Sequence, residues 1–403
     1  MHTTQYGQEP ARKTTLLSQA SAQAQQCSQE DIAVYLDAML NFAPGTRGET
    51  YLVNKRAPLH SGLNAFLAEA VPLDATALRT VAPLQPQDGA RIWRHLDRLD
   101  DYLRVFSDDL IDNPMRTLFF KAMSQAKFWR GPWSVLNREA VALGVDHNQK
   151  ALAFVDLVND LRHMALRGNI GRKMRDWAYS VNSNILRANE YEAYLFRRCP
   201  EVSVVALNMW YQKSAISDEN DAVERGITVE HQQRTDQQAR LLEEDVPSPS
   251  DEQPNGILAV PIDVVARDLR KIFDNLGNKT SISRFKIGHA CSIEWSRMIG
   301  HYARLLFFFD GSQVTDPTSH ADRLGDYAAE LTQGRLTFAN GNRLPEEHPE
   351  AGLILASDSD KRACLRRRLL LWGQKEHLLR IRASQGFKTF RTGDIPRAWR
   401  GGT

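Results

Sequence analysis

The sequence is poor in cysteine: Cys27, Cys199, Cys291 and Cys364 are the four in 403 residues, and no two form a C-x-x-C pair. That spacing excludes a disulfide scaffold and a zinc knuckle and fits a reducing cytoplasm, the localisation expected here. Long apolar runs are also missing. The longest, Leu305-Leu306-Phe307-Phe308-Phe309, is strand length, far short of the roughly 20 residues of a spanning helix, so no membrane partner is expected. Met1 to Arg12 lacks an apolar stretch, so no signal peptide is expected. A composition of 42% hydrophobic and 25% charged residues excludes a mostly disordered chain.

A net charge of +2 conceals a polar distribution. From Asp360 to Thr403 twelve basic residues face three acids, a net +9; between Ala215 and Gly256 eleven acids face three arginines, a net −8. A tethered acidic stretch of this kind can compete with phosphates for a basic groove. Deletion of 217–252 is then expected to tighten DNA binding.

Residues 1–27, rich in Gln, Ser, Ala and Thr, offer too little apolar surface to offset ordering entropy and are expected to be a disordered arm. Ser28 with Asp31 resembles a capping box, followed by Ile32, Tyr35, Leu36, Met39 and Leu40 at helical spacing. Asp88 to Leu110 repeats Ile92, Leu96, Leu99, Leu103, Phe106 and Leu110 every three or four residues, which predicts one helix ended by Asn113-Pro114. Further helices are predicted over 134–143, 148–166 and 172–198, making 28–190 an all-α domain.

The pattern changes after Pro200. Val202 to Tyr211 reads as a strand, and the acidic segment 215–256, closed by three prolines, as a loop or linker too polar to pack. A helix (262–276), strands (283–294 and 304–309), a helix (319–332), two short strands (336–338 and 353–355) and a helix (362–379) follow. The connections are too short for parallel crossovers, so the predicted class is α+β with an antiparallel sheet over 200–395 and a tail at 396–403.

Within that half, Gly288-His289-Ala290-Cys291-Ser292-Ile293-Glu294-Trp295-Ser296, Gly300 to Leu306, and Phe309-Asp310-Gly311-Ser312 resemble the inovirus-type replication proteins and the related YagK/YfjJ C-terminal domain of prophage elements. Ala321-Asp322-Arg323-Leu324-Gly325 and Arg380-Ile381-Arg382 add to the likeness. The resemblance implies an HUH/RRM-like sheet and a rolling-circle initiator of a mobile element. In such initiators a His-x-His pair binds Mg²⁺ or Mn²⁺ to polarise a phosphodiester, and a tyrosine attacks phosphorus. Alternate strand positions are needed because only these share one face of a sheet.

The sequence departs from that pattern at the chemical positions. In the family's register the histidines would stand at Tyr302 and Arg304; Leu371 and Gln374 stand where the tyrosine and lysine would be, and Asn208 replaces an acid. Neither Tyr nor Arg replaces imidazole as a ligand, and a guanidinium repels a divalent cation. No metal or other cofactor is therefore expected. The reading is a catalytically degenerate, initiator-like pseudoenzyme that binds DNA, single-stranded by preference, or regulates replication.

The expected DNA contacts are Arg304, Arg366, Arg367, Arg368, Lys375, Arg380, Arg382, Lys388 and Arg391, near Trp372 and Trp399. The alternative is an active nickase with Glu294, His301 and Tyr302 as catalytic residues and Mg²⁺ or Mn²⁺ as cofactor. A third reading makes the helical domain a protein–protein module on an initiator-like scaffold. Glu294 is expected to pair with Arg304 or Arg297, because a buried acid needs a partner.

Overall fold

A computed structural model describes residues 27–46, 50–52, 57–85, 91–105, 110–125, 147–241, 260–383 and 387–396. The class is α+β, as the patterning implies. The expectations for the arm 1–26, a helix at 134–143, the stretch 242–256, Trp399 and the tail from 397 lie outside the described residues.

Helix α1 (Gln29–Leu40) begins at the capping box that Ser28 and Asp31 suggest: each side chain accepts the other's backbone N–H, at 3.0 and 3.1 Å. It buries Ile32, Tyr35, Leu36, Met39 and Leu40. A short hairpin, β1 (Phe42–Pro44) with β2 (Thr50–Leu52), follows. A helical cluster then comprises α2 (Ala57–Ala70), α3 (Ala75–Thr80), a 3₁₀ run at Arg91–Arg98, α4 (Leu99–Leu103), strand β3 (Leu110–Asp112), α5 (Pro114–Gln125) and α6 (His147–Arg167). Its core is built on Leu63, Phe66, Tyr102, Phe119, Phe154 and Leu161.

The single helix expected over 88–110 is not formed. The three-to-four spacing is met by the 3₁₀ run and α4, and Leu110 leaves to pair with Ile381 on β9 (Leu379–Ile381). Asn113-Pro114 is a start rather than only a stop. Asn113 Oδ1 accepts the Arg116 N–H at 3.0 Å, and Pro114 occupies the first helical position, where its missing N–H costs nothing.

Helix α7 (Ile170–Arg198) leads into β4 (Glu201–Tyr211). The expected acidic loop is, over its first half, helix α8 (Glu219–Leu241). Asp218 caps it by accepting the Asp221 N–H at 2.9 Å, and Asp221 pairs with Arg225 one turn on at 2.6 Å. Glu, Gln, Arg and Ala are strong helix formers, so polarity here opposed burial, not helix. Ala222 nonetheless packs into the core, and Glu230 binds Arg104, so part of this acidity is already engaged.

The remaining elements are α9 (Ile262–Leu276), α10 (Thr280–Ser283), β5 (Lys286–Ser296), β6 (Gly300–Asp310), α11 (Pro317–Leu331), β7 (Leu336–Asn340), β8 (Gly352–Leu355), α12 (Ser359–Gln374), β9 and β10 (Phe390–Thr392). The central sheet runs β10-β5-β6-β4, with β8 and β7 following one another along the outer edge of β4, and every pairing between these strands is antiparallel. Phe307, Phe308 and Phe309 are buried in succession because the sheet is covered on both faces. Each such ring stabilises the fold by about 1.5–3 kcal/mol.

Residues Val205, Leu207, Cys291, Ile293, Leu305 and Phe307 meet α9 and α11 on one face. Val202, Val204, Ala206, Ala290, Leu306 and Phe308 meet α7 and α12 on the other. Helices α1 and α7 pack on the sheet, and the separate helical core draws on residues from Leu59 to Met174.

Candidate functional site

Strand alternation brings Asn208 on β4, Tyr302 and Arg304 on β6, and Ser292 and Glu294 on β5 to one face of the sheet. The registers make Asn208 the partner of Arg304, Arg304 the partner of Ser292, and Glu294 the partner of Tyr302. Helix α1 lays Tyr35 over this group, and the 3₁₀ turn after α12 turns Lys375 into it. The result is a closed polar network rather than a cleft.

Both carboxylate oxygens of Glu294 are occupied. Oε1 accepts from the Tyr35 hydroxyl and from Ser292 Oγ at 3.1 Å. Oε2 accepts from Tyr302 Oη at 2.7 Å and ion-pairs with Arg304 Nε at 2.9 Å. Lys375 Nζ donates to Ser292 Oγ at 2.5 Å and to the Ile293 carbonyl at 2.7 Å. The Arg304 guanidinium also lies 5.4–5.8 Å from the ring centres of Phe42, Tyr35 and Tyr302, within cation–π range.

The electrostatics follow from this enclosure. Burial alone would push the Glu294 carboxyl up, but Arg304, Lys375 and the two tyrosine hydroxyls outweigh it and hold it below the usual range. Burial and then the Glu294 charge push Tyr302 and Tyr35 well up, so both stay protonated donors. Burial would lower the Arg304 guanidinium, yet Glu294 outweighs it and keeps it charged. Burial lowers Lys375 despite Glu294.

These residues do not fit a divalent cation. Tyr302 presents a protonated phenol and Arg304 a guanidinium, and the guanidinium takes the carboxylate that a metal would need. Among the described residues no group of three His, Cys, Asp or Glu is arranged to hold a metal. Two surface hollows, of about 490 and 500 Å³, are lined by other residues, one beside Ala33 and Arg94 and one beside Tyr211 and Arg335.

Of the three candidate catalytic residues, the structure brings Glu294 and Tyr302 into one hydrogen bond and leaves His301 apart. His301 Nδ1 stands 2.8 Å from the Val260 carbonyl, so this nitrogen carries the proton, and burial lowers the ring's pKa.

The expected DNA contacts divide in two. Lys375 is buried, and Arg304, with 12% of its side chain exposed, is turned into the network. Arg366, with Arg362, binds the buried Glu192 of α7 at 3.1 and 2.9 Å; Arg367 binds Asp31 of α1; Arg368 binds the buried Glu350 at 2.8 Å. The arginines of α12 thus form a set of inter-element ion pairs. Arg380 lies flat on Trp177, 3.7 Å from the ring centre. Arg382, Lys388 and Arg391 are exposed.

Sequence reasoning missed Tyr35, 259 residues from the carboxylate it binds, and placed Lys375 outside. The only available signal was that position 375 directly follows the position where the likeness expects a lysine. A second buried chain runs from Asn208 Nδ2 to His348 Nε2 at 3.3 Å, from His348 Nδ1 to Glu350 at 3.0 Å, and on to Arg368. No family model, curated protein or solved structure matches the chain.

Proposed function

We propose that this protein is a non-catalytic derivative of a replication-initiator scaffold, acting for a mobile element by binding single-stranded DNA and so regulating or assembling replication. The observation that carries this reading is the Glu294–Arg304 ion pair with Tyr302 at its side. The likeness puts an initiator's metal ligands at these sheet positions; here Glu294 instead ion-pairs with Arg304 at 2.9 Å and accepts from Tyr302 Oη at 2.7 Å.

A buried carboxylate whose two oxygens already hold three hydroxyl donors and a guanidinium is a poor ligand for an ion. A buried phenol held protonated beside a carboxylate is a poor nucleophile. What remains for function is surface charge. Phosphate contacts supply most affinity in sequence-tolerant DNA binding and carry a strong salt dependence.

The test is an anisotropy titration of a fluorescent single-stranded oligonucleotide across a range of salt. Binding that weakens linearly in log–log form with salt supports the reading. No binding at low salt refutes it.

A further inference from the structure

Removal of Arg366, Arg367 and Arg368 from the set of free cations leaves the question of where a polyanion would lie. From Leu161 to Arg175 the sequence holds Arg162, Arg167, Arg172, Lys173 and Arg175 and no acid. Arg162 is structural, donating to the Ala70 and Ala82 carbonyls at 2.9 and 2.8 Å. The other four are exposed and surround the corner where α6 meets α7.

Arg172 faces Asp176 loosely, at 3.9 Å, with both side chains about three-quarters exposed. Among the described residues Arg167, Lys173 and Arg175 have no carboxylate partner. This contrasts with α12, where successive arginines are each assigned an acid.

The placement is costly for the isolated chain. Three cations fall in the first six residues of a 29-residue helix with no acid in its first turn. Each faces the positive end of the helix dipole, an unfavourable placement for a cation. Lys173 Nζ folds back over the turn to within 3.8 Å of the space beside Gly168, and Arg175 Nη1 comes within 3.7 Å of that beside Gly171, so the charges gather at the corner instead of dispersing.

One helical stripe continues from them. Residues 172, 175, 176 and 179 share a face at three-to-four spacing, and Tyr179 presents an apolar ring that is 68% exposed. The neighbouring stripe runs from Lys173 to Trp177, on which Arg380 lies, with the exposed Arg382 just past the end of β9. Cations at about one-turn intervals beside an uncovered aromatic ring match a polyphosphate carrying stackable bases better than an acidic peptide, which has no use for the ring.

We propose that the corner of α6 and α7, with Arg167, Arg172, Lys173, Arg175 and Tyr179, is the principal docking surface for single-stranded DNA. It lies in the helical half of the molecule, away from the central-sheet network. The inference rests on the DNA-binding reading and locates it.

The experiment compares the full chain with R172A/K173A/R175A and with R267A/R270A/K213A, a control that removes three exposed cations elsewhere. Each is titrated with a fluorescent dT oligonucleotide at several salt concentrations, and circular dichroism checks that the exposed substitutions leave the fold intact. Loss of three phosphate contacts should lower the log–log salt slope by about 2 and weaken binding at least tenfold at low salt, with the control close to wild type. Tyr179→Ala should weaken binding with the slope unchanged. If wild type binds and the corner variant binds equally well, the location is wrong and the DNA reading stands. If wild type does not bind, the reading itself fails. If poly-glutamate competes as well as dT at equal charge, the surface takes acidic peptides and the proposal is overturned.

Discussion

Arg304 Nε stands 2.9 Å from Glu294 Oε2, diagonally across the β5–β6 pair, with Glu294 wholly buried. Two tyrosine hydroxyls and, through Ser292, the Lys375 ammonium complete the arrangement. Polar groups this far from water must be satisfied as a set, because one orphaned charge costs more than the whole set contributes.

Breaking the pair from one side is therefore expected to be severe. Glu294→Gln or Arg304→Met alone should cost about 3–5 kcal/mol, each leaving an uncompensated buried group. The double variant Glu294→Leu/Arg304→Met should recover much of that loss. Urea unfolding midpoints measure it; a double variant as unstable as the sum of the singles would show that the pair is not the coupled unit described.

The pH dependence has two parts. The Glu294 carboxyl is held below its ordinary value of 4.5, so its contribution is complete above that pH and is lost as pH falls through the lower folded-state value. His289 acts earlier. Burial, then the Lys286 charge, push its ring down to about 4 against an ordinary 6.5, with Asp394 opposing. The unfolded chain takes up this proton first, so the His289 contribution to stability should decline as pH falls from about 6.5 towards 4, with a slope of at most ~1.4 kcal/mol per pH unit. The ring packs against Phe273 at 4.5 Å between centres, so His289→Phe should flatten that window while keeping the packing. Chemical denaturation at a series of pH values measures both; an unchanged slope in the variant would contradict the assignment.

Gly288 permits a close approach. A Cβ there would lie 2.2 Å from the Tyr191 hydroxyl, which accepts the His289 N–H at 2.9 Å and joins α7 to β5. Gly288→Ala should cost about 1–3 kcal/mol through overpacking and loss of that bond. Gly288→Ala with Tyr191→Phe should recover part of the loss if the hydroxyl is the obstacle. Thermal unfolding of the three variants decides it.

Cys291 sits on the α9 and α11 face of β5, and burial pushes its thiol up to about 12 despite Lys375 and Arg391. It should resist alkylation at pH 8 in the native chain and react after denaturation, as mass spectrometry of the labelled peptide would show.

Period-two and period-three-to-four patterns disclosed most of the C-terminal half, because β4, β5 and β6 are long and bounded by turn residues, and α9 and α11 carry clear apolar stripes. The capping box at Ser28 was legible because both of its members are local. The stretch 88–110 misled because a 3₁₀ run, a short helix and a strand can carry the same apolar spacing as one helix, and the pairing of Leu110 with Ile381, 271 positions away, decided between them. Polarity over 219–241 suggests a loop too polar to pack, yet polarity opposes burial and not helix formation.

At the site, the need of a buried acid for a cation points to Arg304 or Arg297, and the structure supplies Arg304. The partners of Arg366, Arg367 and Arg368, namely Glu192, Asp31 and Glu350, lie on distant elements, and no local pattern announces them. A run of arginines on a helix reads the same whether it meets phosphate or carboxylate.

The central claim, that an initiator-like sheet is sealed by its own ion pair yet still serves to bind DNA, is tested most directly in one reaction. A 5′-labelled single-stranded oligonucleotide is incubated with the protein and Mn²⁺, then resolved on a native gel and on a denaturing one. The account predicts a salt-sensitive shifted band on the native gel and no protein-linked label under denaturing conditions. A covalent protein–DNA adduct that disappears in Tyr302→Phe would contradict it.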